Sequence, residues 1–219
     1  MIRTRVKVCG ITSREDAEMA VAAGADGLGF IFTEQSPRFI EPETARQIID
    51  QLPALVSAVG VFMDQENETV QEIAAYCRLT HVQLHGNESP GYCEKLNSRV
   101  IKSFAVRPAT EPDDLAAYAG VVKAFLLDTH HAGRSGGTGR TFDWLEVERL
   151  HPPGPVVLAG GLDPDNVAEA IRQVRPFAVD VNSGVEITPG RKDGEKLRRF
   201  MREVLRTDLA ILQQQAPEA

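Results

Sequence analysis

Eight short apolar segments, spread evenly along 219 residues, constrain the fold of this chain more than any other feature. Most are near-continuous runs of Val, Ile, Leu, Phe and Ala, a pattern typical of strands buried on both faces of a parallel sheet. Parallel strands need crossover connections, which are usually helical. The segments are TRVKVC (4–9), DGLGFIF (26–32), SAVGVFM (57–63), HVQLH (81–85), RVIKSF (99–104), KAFLLD (123–128), PVVLAGG (155–161) and FAVDVNSG (177–184).

Helical segments of mixed apolar and charged residues separate these strands. The first begins with Ser13 and Asp16, a capping-box-like start with Asp in place of Glu, and closes at Gly24. The second starts at Pro42, a residue favoured in the first helical turn. The others are predicted at 67–78, 89–97, 111–119, 142–150, 163–174 and 193–206.

The regular alternation predicts an α/β protein, a single-domain (β/α)8 TIM barrel. Eight units of roughly 27 residues fall toward the lower end of the size range of that fold. The competing architecture, an open doubly wound sheet, usually carries a glycine fingerprint after its first strand, and here only Cys-Gly-Ile-Thr follows (9–12). Residues 1–207 are assigned to the barrel, and 208–219, with their Gln-rich end, to a C-terminal tail.

Composition narrows the class of protein. A net charge of −7 argues against a nucleic-acid partner, because phosphate-backbone binding needs a basic face. No apolar run approaches the roughly 20 residues that span a bilayer, and the N-terminus leads straight into the first strand, so neither a membrane partner nor an export signal is expected. The cysteines, Cys9, Cys77 and Cys93, have no CxxC spacing, which favours a reducing cytoplasm over a disulfide framework or zinc site.

Two strands end in residues suited to acid–base chemistry. The active site of such barrels is built from the carboxyl ends of the strands. Cys9 stands at that end of the first strand and Asp128 at that end of the sixth. Burial against apolar neighbours would raise the pKa of Asp128 and suit it to general acid catalysis. Alternatively, the carboxylate of Asp128 hydrogen-bonds a neighbouring loop, and Cys9 is a small buried hydrophobic residue without a catalytic role.

The last two strands end in glycine-rich sequences. Gly160 and Gly161, and then Ser183 and Gly184, offer unobstructed main-chain N–H groups and one hydroxyl. The loops after strands seven and eight of these barrels frequently hold a phosphate, and a short helix near Gly184 would add donors. The glycines alone would also fit tight turns, but two such sites at adjacent strand ends favour a phosphorylated small molecule as the partner.

Seven motifs together resemble the phosphoribosylanthranilate isomerases of tryptophan biosynthesis, from about residue 4 to residue 205. They are KVCGIT (7–12), SPR (36–38), VQLHG (82–86), LLDT (126–129), GTGRTFDW (137–144), AGGL (159–162) and VDVNSGVE (179–186). The resemblance implies an Amadori rearrangement of N-(5-phosphoribosyl)anthranilate to the corresponding 1-deoxyribulose, without cofactor or metal. By similarity, Asp128 protonates the furanose ring oxygen, Cys9 removes the proton from C2, and Arg38 pairs with the anthranilate carboxylate.

Elementary chemistry agrees with those roles. A thiol with a pKa of about 8.5, which the site can lower, suits a base that deprotonates carbon beside an iminium. Lys7 lies on the same strand face as Cys9, where it either stabilises the thiolate, attracts substrate or pairs with an acidic neighbour such as Asp180; these roles are compatible. His85 either orients substrate or is a satisfied strand-end histidine.

The glycine-rich stretch 130–140 is predicted to form a mobile loop that closes over the phosphate, with Gly139 as a main-chain donor, or else a passive connector. His130 and His131 in it are predicted to be exposed rather than metal-binding.

Two other functions compete. The related aminoaldose isomerase of histidine biosynthesis carries aspartate at the end of strand one and two phosphate sites in repeated halves, so Cys9 and the lack of repeats weigh against it. A phosphosugar-binding barrel without activity would leave Cys9 and Asp128 idle. The family includes monomers and dimers, so either a monomer or a homodimer is expected.

Overall fold

The computed structural model describes residues 3–107, 109–128 and 144–215, and eight parallel strands in it form a closed barrel. Each strand pairs with the next along the chain, and the last pairs with the first, with Lys7 opposite Asp180. The (β/α)8 barrel predicted from the apolar segments is confirmed. The strands are β1 (Arg5–Val8), β2 (Gly27–Ile31), β3 (Ser57–Phe62), β4 (His81–Leu84), β5 (Val100–Ala105), β6 (Ala124–Asp128), β7 (Val156–Ala159) and β8 (Ala178–Val181).

Helices alternate with these strands, as predicted. Ser13 caps the first helix by accepting the backbone N–H of Asp16 at 3.1 Å, and Gly24 ends it with φ of 101°. The capping box is half formed, because the carboxylate of Asp16 accepts the backbone N–H of Lys192 instead. The helices are α1 (Arg14–Ala23), α2 (Pro42–Ile49), α3 (Asn67–Tyr76), α4 (Pro90–Glu94), α5 (Pro112–Ala116), α6 (Leu145–Leu150), α7 (Val167–Val174) and α8 (Gly194–Gln215).

Apolar side chains pack in two layers, one on each side of the barrel wall. The larger cluster joins outward-facing strand residues such as Val6 and Val8 to the helices. Because successive strand residues point to opposite faces, Lys7 and Cys9 lie on the inner face. A smaller cluster fills the barrel and consists of Val59, Ile101, Ala124, Leu126, Val157, Ala159 and Ala178.

The C-terminal end differs from the prediction. Helix α8 continues to Gln215, whereas the sequence placed its end at 206 and a tail from 208. Asp208 accepts the backbone N–H of Thr4 at 2.7 Å and its hydroxyl at 2.8 Å, and Ile211 is buried. One face of this segment thus packs on the barrel, so residues 208–215 continue the last helix of the folded domain.

Structure between β8 and α8 was only partly foreseen. A 3-10 helix covers Ser183–Val185, which confirms the short helix expected near Gly184. A hairpin of β9 (Glu186–Thr188) and β10 (Arg191–Lys192) follows it and was not predicted. Residues 129–143, which include Gly139, His130 and His131, lie outside the described residues. Across the described ranges, no helix is long and apolar enough to cross a membrane.

Candidate active site

A cavity of about 560 Å³ opens at the carboxyl ends of the strands, where the sequence predicted the site. Most of the predicted site residues line it: Cys9, Arg38, His85, Asp128, Gly160, Gly161, Asp180 and Ser183. Lys7 and Gly184 stand outside the lining, and Gly139 lies outside the described residues. The lining also includes Gln83 and Asn182, which the sequence did not single out.

Cys9 is buried at the end of β1, on the side of the strand that faces the barrel interior. Its backbone N–H donates to the carbonyl of Val181 at 2.8 Å and so extends the pairing of β1 with β8. Gly29 of β2 leaves the space for the thiol, since a Cβ there would lie 2.7 Å from Cys9 Sγ and 3.0 Å from Lys7 Nζ. The sulfur therefore points toward the cavity and not into the helix layer.

Lys7 lies one layer below Cys9, and its contacts fit two of the three roles that the sequence left open. Its ammonium donates to Asp180 Oδ1 at 2.9 Å, and both side chains are buried. Burial lowers the pKa of Lys7, but the nearby Asp180 and Cys9 outweigh it and raise that pKa above its ordinary value. Lys7 is thus a charged partner for both the carboxylate and the sulfur.

Burial controls the acidity of the thiol. It raises the pKa of Cys9 above its ordinary value, although the positive charges of Lys7 and Lys192 act to lower it. The expectation that the site lowers this pKa is therefore wrong, because the removal of the sulfur from water outweighs the attraction of the lysines. At neutral pH the thiol form predominates, and the thiolate fraction rises with pH.

Asp128 ends β6 and faces the same cavity as Cys9. Its side chain is 26% exposed, so it is less enclosed than its apolar neighbours in the sequence suggested. Oδ2 lies 3.8 Å from Nε2 of His85, which directly follows β4 and is itself partly exposed. Burial raises the pKa of Asp180, and the negative charge of the nearby Asp128 raises it further. His85 thus pairs with the predicted acid rather than standing apart.

Gln83 contacts His85 from one layer below on β4. Its Nε2 lies 3.4 Å from His85 Nδ1, a spacing at which the amide N–H and the ring nitrogen face each other. The amide oxygen is buried and accepts no hydrogen bond from any residue of the described ranges. The motif VQLHG, in which Gln83 stands two residues before His85, was the sequence signal for this residue.

Arg38 reaches the site from the loop after β2, as predicted. Its Nε donates to Glu186 Oε1 at 2.9 Å and its Nη2 donates to Oε2 at 2.7 Å, so the two side chains form a two-point pair. Gly10, with φ of 73°, makes room for this arginine, because a Cβ there would lie 2.7 Å from Arg38 Cδ. Arg38 therefore lies against the backbone next to Cys9, with one edge held by Glu186.

Two charged residues that the sequence did not assign lie behind Arg38. Glu186 begins β9, and Lys192, whose side chain is 0% exposed, donates to Glu186 Oε1 at 2.9 Å. Lys192 also donates to Asn182 Oδ1 at 3.1 Å. Glu186 closes the motif VDVNSGVE, but only the fold brings it to Arg38, 148 residues away along the chain.

The loops after β7 and β8, where the sequence predicted phosphate binding, line the same cavity. Gly160 and Gly161 have φ of 92° and 65°, a region that favours glycine. Ser183 begins the 3-10 helix beside them. Gly184 lies outside the cavity lining, and a Cβ on it would be 2.0 Å from the carbonyl oxygen of Leu162. Gly184 thus lets the two loops approach each other, whereas the other three residues face the cavity.

The chain is similar in sequence and fold to proteins of one family. Residues 6–203 match the family model for N-(5'phosphoribosyl)anthranilate (PRA) isomerase. The N-(5'-phosphoribosyl)anthranilate isomerase of Geobacter sp. (strain M21) is 55% identical over 201 residues, 91% of this chain and 97% of that protein. The crystal structure of phosphoribosyl anthranilate isomerase from Thermotoga maritima is 42% identical with a TM-score of 0.83, and covers 92% of this chain and 98% of its own.

A further similar structure contains a ligand. It is a phosphoribosyl anthranilate isomerase in complex with reduced 1-(o-carboxyphenylamino)-1-deoxyribulose 5-phosphate. It is 41% identical to this chain, with a TM-score of 0.78, and covers 92% of this chain and 98% of its own.

Proposed function

Since the chain belongs to the N-(5'-phosphoribosyl)anthranilate isomerase family, and so acts as an isomerase in tryptophan biosynthesis, we propose that Cys9 and Asp128 divide its proton transfers between them. The family match favours this substrate over that of the aminoaldose isomerase of histidine biosynthesis. The placement of both side chains in the lining of one cavity is the observation that carries the proposal.

Asp128 starts the reaction as the general acid. Its carboxyl proton goes to the furanose ring oxygen, the bond from that oxygen to C1 breaks, and a protonated imine forms between C1 and the anthranilate nitrogen. His85, 3.8 Å away, helps to hold the carboxyl group in place and carries charge of the opposite sign when protonated. Proton transfer from a positioned side chain accelerates such steps by about 10² to 10⁴.

Cys9 then acts as the base. The iminium acidifies the neighbouring C2–H bond, the thiolate takes that proton, and the electron pair moves to give an enolamine that tautomerises to the ketone. Lys7 supports the step because its positive charge favours the thiolate. The raised pKa of Cys9 makes the thiolate the minor form at neutral pH, so we expect turnover to increase with pH in the range where this thiol limits the rate.

The two ends of the substrate bind at opposite sides of this pair. Arg38 pairs with the anthranilate carboxylate, through the part of its guanidinium that Glu186 leaves open. Gly160, Gly161 and Ser183 bind the phosphate through main-chain N–H groups and a hydroxyl. Gly184 supports them by close packing, and Gly139 keeps its sequence-based assignment as a further donor.

Replacement of each proposed proton carrier tests this division of labour. In Cys9→Ala, kcat should fall by about 10² or more, while the reduced product analogue binds within about tenfold of the original affinity. Cys93→Ala is the matched control, because Cys93 is buried outside the cavity lining and its loss should leave kcat near normal. Near-normal turnover by Cys9→Ala would remove the thiol from the mechanism.

We also propose that the protein acts in the cytoplasm as a monomer or a homodimer. Its three cysteines are free, which suits a reducing compartment. A similar structure, 41% identical, is described as monomers generated from a dimeric phosphoribosylanthranilate isomerase of Thermotoga maritima. Sedimentation equilibrium at micromolar concentration separates the two assemblies, and a larger species would contradict both.

A further inference from the structure

A network of buried charges stands directly behind Arg38, and none of its side chains gives or takes a proton in the proposed reaction. Glu186 Oε1 accepts hydrogen bonds from Arg38 Nε at 2.9 Å, Lys192 Nζ at 2.9 Å and the backbone N–H of Gly190 at 3.2 Å. Oε2 accepts from Arg38 Nη2 at 2.7 Å. Burial acts to raise the pKa of Glu186, but the bonds from Arg38 and Lys192 outweigh it and hold that pKa below its ordinary value. Glu186 is therefore a fully engaged, ionised carboxylate.

Lys192 is also fixed by several hydrogen bonds. Its ammonium has no exposed surface and donates to Glu186 Oε1 and to Asn182 Oδ1, and its backbone N–H donates to Asp16. Burial lowers the pKa of Lys192, against the raising effect of Glu186. A buried lysine is costly, and an apolar side chain of similar volume is often at least as stable in such a place. A purely structural role is thus a poor explanation for a charge at this position.

The hairpin that carries these residues also fixes the loop that carries Arg38. Thr12, just after β1, donates its hydroxyl to the carbonyl of Gly190 at 2.6 Å. A Cβ on Gly190 would lie 3.6 Å from the carbonyl oxygen of Pro37, the residue before Arg38. The turn between β9 and β10 therefore rests against the loop after β2, and the carboxylate meets the guanidinium in one orientation.

The signs of the charges show what Lys192 adds. Arg38 and Glu186 alone would form a neutral pair, because each carries one charge. Lys192 restores a net charge of +1 to the three side chains, while its hydrogen bonds keep Glu186 on the Nε and Nη2 side of the guanidinium. A substrate carboxylate then meets an oriented arginine at which positive charge still exceeds negative charge.

We propose that Lys192, acting through Glu186, is a positioning residue that orients Arg38 for the carboxylate of the substrate and keeps this end of the site positive. The inference rests on the proposed function, in which Arg38 binds that carboxylate. Lys192 itself touches no reacting atom, and its contribution to ligand affinity should appear only for ligands that carry the carboxylate.

A comparison of two ligands tests the proposal. The first is the reduced product analogue with its ring carboxylate, and the second is the same molecule with an unsubstituted phenyl ring. The dissociation constant of the phenyl ligand divided by that of the carboxylate ligand measures the recognition of the carboxylate, and this ratio is insensitive to phosphate and sugar binding. Lys192→Met should lower this ratio by about tenfold, because charge-assisted hydrogen bonds are misaligned and weakened, while the phenyl ligand binds as before.

Matched variants separate the alternatives. Lys196→Met is the control, because Lys196 donates to the backbone carbonyl of Glu186 rather than to its carboxylate, and it should keep the original ratio. Lys192→Gln provides the same test in a more polar form if the methionine variant does not fold, and a reduced ratio is again expected. An equal loss of affinity for both ligands, or an unchanged ratio in the folded variants, would overturn the inference.

Arg38→Met in the same assay distinguishes this inference from the proposed function beneath it. If Arg38→Met leaves the ratio unchanged, Arg38 does not bind the carboxylate and both proposals are wrong. If Arg38→Met lowers the ratio and the Lys192 variants do not, the positioning role of Lys192 alone is wrong.

Discussion

The space that Gly29 leaves for the thiol of Cys9 can be filled by a single methyl group. An alanine Cβ at position 29 would lie 2.7 Å from Cys9 Sγ, 3.0 Å from Lys7 Nζ and 3.1 Å from Cys9 Cα. To reach an ordinary contact of about 3.5 Å, the sulfur must move by about 0.8 Å. Overpacking of this kind costs about 1–3 kcal/mol of stability, and a displacement near 1 Å at a reacting group costs about 10² in rate. Gly29→Ala should show both losses.

A double-mutant cycle assigns the cost to the sulfur. In the Cys9→Ala background the methyl group enters space that Sγ has vacated, so Gly29→Ala should lower the free energy of unfolding by at least about 1 kcal/mol less than in the original protein. Urea unfolding of the four proteins measures these differences. Gly91→Ala is the control, because a Cβ there meets no atom within 4 Å. Equal costs in both backgrounds would refute the placement of the thiol on the inner face beside β2.

Two further predictions concern the ends of the chain and the acidity of the thiol. Asp208→Ala should lower the free energy of unfolding by about 1–3 kcal/mol, because it leaves the buried N–H and hydroxyl of Thr4 without their acceptor. Asp208→Asn keeps one acceptor oxygen and should lose less stability in the same urea unfolding experiment. Alkylation of Cys9 by iodoacetamide should accelerate by about tenfold from pH 7 to pH 8, because the pKa of the thiol is raised and only the thiolate reacts. Lys7→Met should slow this alkylation at each pH. An alkylation rate that does not depend on pH would contradict this explanation.

The sequence was sufficient to predict the barrel because each strand is a local feature. Runs of apolar residues between helical segments predict buried parallel strands without any knowledge of their partners. The order of the strands then places their carboxyl ends on one side, and Cys9 and Asp128 are found by their positions at those ends. The end of α8 was missed because the segment runs into three consecutive glutamines at 213–215, and the contact of Asp208 with Thr4 spans 204 residues.

The network behind Arg38 was not predictable in the same way. Lys192 lies in a two-residue strand with no apolar pattern, and its partner Glu186 is six residues away across a hairpin turn. Arg38 joins them only when the barrel closes. The direction of the pKa shift of Cys9 was also misjudged, because the sequence places Lys7 near the thiol but does not show how deeply the sulfur is buried.

The kinetic isotope effect of substrate deuterated at C2 tests most directly whether Cys9 and Asp128 move different protons. Weakening the base in Cys9→Ser should make cleavage of the C2–H bond limiting and increase the isotope effect on kcat/KM above that of the original protein. Weakening the acid in Asp128→Asn should make ring opening limiting and reduce the effect toward unity. An isotope effect near unity in Cys9→Ser, or one in Asp128→Asn as large as in Cys9→Ser, would contradict this division of labour.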